Sequence, residues 1–196
     1  MLIFKSEILV GKYIQLEPMR MEHSKELAYA GRDPSIWKYM LYGMVTNEEK
    51  MILWVQDILN RKASGTDEPY VVRDLSSGRL VGATRYLNIS HKDRGLEVGG
   101  TWYDTDFQRT YVNSEAKYLM LQNAFETVGC VRVQFKADSR NEKSLKAIER
   151  LGAKKEGVLR NHMILDDGTL RHSVFFSILP EEWPEVKESL ARRLYL

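Results

Sequence analysis

Glu97-Val98-Gly99-Gly100-Thr101-Trp102-Tyr103, Gln108-Arg109-Thr110-Tyr111-Val112-Asn113 and Val131-Arg132-Val133-Gln134-Phe135 through Asn141-Glu142-Lys143-Ser144 decide the fold. The first run is β-type. The polar turn after it opens a helix carrying Glu115-Ala116-Lys117. The third is a second strand, and Asn141 to Ser144 opens a second helix, closed by Leu151-Gly152. Strand, turn, helix, strand, helix brings two helix N-termini out beside neighbouring strand ends. Such termini carry unpaired N–H groups and a partial positive charge, which suits an anionic, phosphate-bearing ligand.

Working outward, Tyr13–Leu16 reads as a first strand after Gly11, and Met21–Gly31 as a short helix with Gly31 at its stop. Ser35–Met40 is aromatic-rich and reads as a helical turn. Asn47-Glu48-Glu49 is an N-cap followed by acids, and Met51, Ile52, Val55, Ile58 and Leu59 recur at helical spacing until Gly65. Pro69–Arg73 and Leu80–Tyr86 are strands joined by the Asp74–Gly78 hairpin. Val158–Leu165 and Leu170–Ile178 flank Asp166-Asp167-Gly168-Thr169, a second hairpin. Pro180–Pro184 starts a last helix through Val186, Leu190 and Leu194. The chain, 1–196, reads as one α+β domain with a mainly antiparallel sheet.

Composition limits the function classes. With 43% apolar and 29% charged residues the chain is globular rather than disordered. A net charge of +2 does not point to nucleic acid or a membrane surface, and no run approaches the roughly 20 apolar residues of a membrane span. The first residues, Met1-Leu2-Ile3-Phe4, lack the features of a signal peptide, so a cytoplasmic protein is expected. The single cysteine, Cys130, excludes an intrachain disulfide and is expected to be buried and inert. His23, His91, His162 and His172 show no metal-ligand spacing and read as surface or hairpin residues; no metal is expected.

Candidate site residues follow from position. Arg109 with the freed N–H groups of 108–114 could hold a pyrophosphate, or the segment is a surface turn. Ser114 beside Glu115 equally marks a helix start. Asn141 is an N-cap, and Ser144, three residues on, faces the same end. If Leu96 and Val98 point to one face of their strand, Glu97 points to the other, where a carboxylate could take a proton from an amine, directly or through water. A solvent-facing Glu97 is the alternative. Trp37, Tyr39, Tyr42, Trp54 and Trp102 are either a pocket wall or core.

Taken together, these elements and residues resemble the GNAT acetyltransferase superfamily, and within it the branch related to RimJ/RimL, the ribosomal-protein N-terminal acetyltransferases. The resemblance runs from about Tyr13 to Ile178. It is most specific at Asp138–Ser144, Ile148–Ala153 and Glu156-Gly157-Val158-Leu159-Arg160, where Ala153 replaces the common Phe. In the phosphate loop Gln108 is kept, while Tyr111 and Asn113 stand at the two positions usually small; Glu115-Ala116 follows as in relatives. The resemblance implies a twisted, mostly antiparallel sheet with a V-shaped split between two central parallel strands, and acetyl-CoA as co-substrate in that split. The pantetheine arm would lie along the backbone of Thr101, Trp102 and Tyr103. The pyrophosphate would sit on Gln108, Arg109, Thr110, Tyr111, Val112, Asn113 and Ser114. Asn141 would contact the pantetheine, Ser144 would lie near the sulfur and assist the leaving thiolate, and Glu97 would be the base. Strand-bulge N–H groups before Tyr103 would polarise the thioester. The acceptor, a small-molecule amine or a protein N-terminus, would enter past Ser35–Gly43 and the Asp166–Gly168 hairpin, segments whose aromatic and acidic residues suit a cationic amine. A homodimer paired through the C-terminal hairpin is plausible on this reading. A non-catalytic acyl-CoA sensor on the same fold is the alternative function.

Overall fold

A computed structural model describes residues 2–165 and 167–196; the hairpin position Asp166, part of the expected acceptor entrance, lies outside the described residues, as does Met1. The strands are β1 (Leu9–Val10), β2 (Ile14–Pro18), β3 (Glu68–Asp74), β4 (Leu80–Ser90), β5 (Gly95–Tyr103), β6 (Arg132–Asp138), β7 (Lys154–Ile164) and β8 (Leu170–Ile178). They form one sheet in the order β1-β2-β3-β4-β5-β6-β8-β7. Every neighbouring pair is antiparallel except β5 and β6, which run parallel. That pair meets only at Gly95↔Arg132, Leu96↔Val133 and Glu97↔Gln134. Beyond Glu97 the two strands are no longer in register contact, and the sheet opens into the expected split.

The helices are α1 (Ser24–Ala30), α2 (Glu48–Ala63), α3 (Tyr111–Gln122), α4 (Glu142–Arg150) and α5 (Trp183–Tyr195). Helical turns cover Met21–His23, Pro34–Trp37 and Thr105–Phe107, and α3 widens into a π-helical turn, Asn123–Val128. Local capping explains the starts. Asn47, Thr110 and Asn141 each accept a first-turn N–H with their side chains. Gly152, at φ +94°, closes α4 in the left-handed conformation that glycine adopts without strain.

Helices α1 and α2 cover one face of the sheet around Trp37, Trp54 and Trp102, whose ring centroids lie 5.1–6.3 Å apart. These three tryptophans are core, and Trp54 also lines a surface cavity with Tyr42, Met44 and Leu53. Helices α3, α4 and α5 cover the other face over Tyr86, Val98, Val133, Phe135 and Phe176. Strand alternation splits β5 as expected. Leu96 and Val98 enter the α3 core, and Glu97 goes to the opposite face. Two expectations need correction. The strand before β2, β1, was not foreseen, because two residues carry no periodicity. His23 is not a surface residue: it is 7% exposed, beside Glu17, and accepts from the Arg20 N–H.

Candidate active site

The centre of the site is an interruption in β5. Ala83 pairs with Trp102 and Arg85 with Gly99, so three steps on β5 match two on β4. Gly100 and Thr101 fall out of the ladder as a β-bulge. Gly100 has φ +56°, and a Cβ there would lie 2.8 Å from Arg85 Nη1. Only glycine meets both demands. The bulge lies beyond Glu97↔Gln134, the last pair that β5 makes with β6, and so beside the split.

Glu97 is 3% exposed. Its Oε2 accepts from Asn88 Nδ2 at 3.1 Å and Gln134 Nε2 at 3.2 Å, and Lys136 Nζ lies 3.5 Å away. Its Oε1 takes no hydrogen bond among the described residues and lies on the side of Gly99. One oxygen is held while the other keeps its lone pairs, as a proton acceptor requires. Lys136 packs over the Phe175 ring, which meets the His162 ring edge-on, and His162 Nδ1 is 3.0 Å from Ser173 Oγ. Burial lowers the His162 pKa below the ordinary imidazole value. Arg85, 3% exposed, pairs with Asp67 at 2.7 Å and bonds Tyr42 Oη. Burial lowers the Arg85 pKa to about 10 and raises that of Asp67. The face that Glu97 occupies therefore carries both signs of charge.

The expected phosphate segment forms the turn into α3. Gln108 Nε2 donates to the Tyr103 carbonyl at 3.2 Å, Arg109 is exposed at φ +63°, and Thr110 Oγ1 accepts from the Val112 N–H at 3.3 Å. The Tyr111 and Asn113 N–H groups have no side-chain partner among the described residues. The Tyr111 side chain turns away: its hydroxyl bonds Asp74 Oδ1 at 2.5 Å and its ring packs 5.0 Å from that of Tyr13. A tyrosine at this position therefore leaves the first turn of α3 open. Val112 is fully buried, while Asn113 and Ser114 are half-buried. Of the three expected pantetheine residues, only the backbone can face the split. Trp102 packs its ring into the α2 core, Tyr103 buries its hydroxyl without a partner, and the Thr101 hydroxyl turns toward α3.

Across the split, Asn141 Oδ1 accepts from the Ser144 N–H at 3.1 Å, so that oxygen is committed to the cap. The Ser144 hydroxyl, half-buried one turn into α4, has no partner among the described residues. Cys130 is 3% exposed, and burial pushes its thiol up to about 11, an inert group.

Several residues of this region were not singled out in the sequence. Asn88 on β4 and Gln134 and Lys136 on β6 converge on Glu97 of β5 only through register. Lys117, 6% exposed on α3, donates to Thr101 Oγ1 at 2.6 Å and Thr84 Oγ1 at 3.2 Å, and burial pulls its amine down to about 7. Its signal was present: it lies inside the apolar series Val112, Ala116, Leu119, Met120. No group of His, Cys, Asp or Glu among the described residues could hold a metal, and no helix of the described residues is long and apolar enough to cross a membrane.

The family model for the acetyltransferase (GNAT) domain matches residues 14–154. The chain belongs to the GNAT acetyltransferase family. It is an acyltransferase by that membership. A structure from T. thermophilus, itself an inferred acetyltransferase, is 34% identical, with a TM-score of 0.89 and complete coverage of both chains. YdaF of Bacillus subtilis, assigned as a ribosomal N-acetyltransferase, is 24% identical over 155 residues, 71% of this chain and 84% of that one. RimJ of Mycobacterium smegmatis, solved with CoA-disulfide, shares the fold at 19% identity and TM-score 0.79, over 95% of this chain and 91% of that one.

Proposed function

We propose that this protein transfers the acetyl group of acetyl-CoA to a primary amine, of a small molecule or a protein N-terminus, by direct attack. The observation that carries the reading is the split itself: β5 and β6 part at Glu97↔Gln134, and the buried Glu97 stands at the fork with one free oxygen. Acetyl-CoA supplies the activated acyl group. The residues fit it: the first turn of α3 presents Tyr111 and Asn113 N–H groups with Arg109 beside them for a pyrophosphate. Asn141 keeps its amide nitrogen free for the pantetheine, because only its oxygen serves the cap.

The chemistry asks three things of the chain. An ammonium must lose a proton before its lone pair can attack, and Glu97 Oε1 accepts that proton, directly or through water. Negative charge on the thioester oxygen must be met, and the out-of-ladder N–H groups at Gly100 and Thr101 meet it. The thiolate must leave, and the Ser144 hydroxyl, without a partner among the described residues, would hydrogen-bond it. A serine hydroxyl is a weak acid, so its part is solvation rather than full proton donation.

Calorimetric titration of acetyl-CoA into the purified chain, followed by a thiol-release assay over a panel of amines, tests the reading. Binding with transfer to at least one amine supports it. Binding with no transfer to any amine replaces it with an acyl-CoA-binding module, and no binding ends both.

A further inference from the structure

Lys117 has no obvious structural reason to be a lysine. It lies on the sheet-facing side of α3 with Val112, Ala116 and Met120, each fully buried. Among the described residues no carboxylate comes within 4 Å of it. The acid nearest in sequence, Glu115, points to the turn before β2 instead. A buried cation without a counter-charge costs folding free energy, and a methionine of similar length would fill the space without that cost. The two threonines do not need it. Thr84 Oγ1 and Thr101 Oγ1 are 2.8 Å apart and can satisfy one another.

What Lys117 does touch is the bulge. Thr101 is one of the two residues outside the β4–β5 ladder. Its hydroxyl receives the Lys117 amine at 2.6 Å and reaches the Gly99 carbonyl at 3.4 Å. Helix α3 thus holds the bulge from one face of the sheet through Thr101, while Arg85 lies against Gly100. The polar groups around the amine are few: β4 offers Thr84, β5 offers Thr101, and Met120 Sδ completes the cluster through Thr84.

We propose that Lys117 is a positioning residue for acetyl transfer. Through its hydrogen bond to Thr101 it fixes the bulge that polarises the thioester carbonyl. The inference rests on the acetyl-CoA reading above. A hydrogen-bonded bulge held in place before the reaction meets developing negative charge without reorganisation, which is where preorganised donors have their largest effect.

The test is infrared difference spectroscopy of acetyl-CoA labelled with carbon-13 at the thioester carbonyl, bound to the full chain. Polarisation in the wild-type site moves the carbonyl band to lower frequency. Lys117→Met is expected to lose most of that shift while acetyl-CoA affinity by calorimetry stays within a few-fold, and its unfolding midpoint is expected to rise because a buried amine, costly to desolvate, has gone. With any amine that the panel identifies, kcat should fall about tenfold with KM for acetyl-CoA little changed. A full wild-type shift in Lys117→Met overturns the proposal, as does a loss of stability with the shift retained, which would mark the lysine as structural. Should Lys117→Met fail to fold, Thr101→Val against Thr101→Ser decides. Val is expected to lose the shift and Ser to keep it; equal shifts overturn the proposal. Failure of wild type to bind acetyl-CoA would instead remove the underlying reading, and calorimetry alone reports that.

Discussion

Replacing Glu115 by Gln should destabilise this fold more than almost any other isosteric change. Glu115 is fully buried on α3. Its Oε1 accepts from the Lys12 N–H at 2.7 Å and the Tyr195 hydroxyl at 2.8 Å, and its Oε2 from the Tyr13 and Ile14 N–H groups, both at 2.9 Å. One carboxylate thereby ties the turn before β2 and the end of α5 to the helix that begins at the candidate phosphate turn. Gly11 makes room for it, since a Cβ there would stand 2.6 Å from Glu115 Cδ. Gln keeps the shape but turns one oxygen into a donor. Placed at the Oε1 position, the new NH2 faces the Lys12 N–H, while the tyrosine hydroxyl can turn to accept. Placed at the Oε2 position it faces two N–H groups. At least one buried backbone donor is therefore orphaned, at about 1–3 kcal/mol. The bonds that survive lose their charge assistance, roughly 0.5–1 kcal/mol each. The sum is about 3–5 kcal/mol, a large part of a typical stability of roughly 5–15 kcal/mol. For a chain of this size that is a fall of about 6–20 °C in Tm. Urea unfolding followed by tryptophan fluorescence would read it as a lower midpoint at unchanged slope. A loss below about 1 kcal/mol would refute the reasoning and mean that water or a shifted turn satisfies the freed N–H groups.

Three further outcomes are expected. Glu97→Gln should lower kcat by roughly 10²–10⁴ while the Kd for acetyl-CoA is unchanged, and wild-type turnover in the variant would exclude Glu97 as the base. Asn141→Asp should preserve α4, because Asp caps a helix as well as Asn, yet weaken acetyl-CoA binding measured by calorimetry, since the amide donor is lost. Burial alone would raise the Asp74 pKa, but hydrogen bonds from Tyr111, Ser77 and Ser76 outweigh it and hold the carboxylate at about 2. A depressed folded pKa contributes stability above the unfolded value near 3.8 that is lost as the pH falls toward 2, about 2 kcal/mol here. Tyr111→Phe should therefore shrink the loss of unfolding free energy between pH 5 and pH 2, and an unchanged acid limb would count against the Tyr111–Asp74 bond.

Much of the fold was legible because its signals are local. A cap needs only its own next three residues, so Asn47 and Asn141 could be read directly. The same holds for the Asp74–Gly78 turn and for Gly152, whose left-handed φ few other residues tolerate. The side of the strand taken by Glu97 was legible too, since alternation is a property of one strand. The first turn of α3 was harder. Tyr111 reads as an obstacle to phosphate until Asp74, 37 residues earlier, is seen to hold its hydroxyl aside.

The chain's own order of residues thus determined which segments are helix and strand, where each begins, and which family they compose, because those are properties of neighbours along the backbone. Tertiary structure alone decided which charges are buried and what they do. Glu115 became the staple of the turn before β2, Lys117 came to rest behind the bulge, and Asn88, Gln134 and Lys136 closed around one oxygen of Glu97. No local pattern encodes those meetings, since the free energy of a buried charge depends on partners that only strand register and helix packing bring within reach.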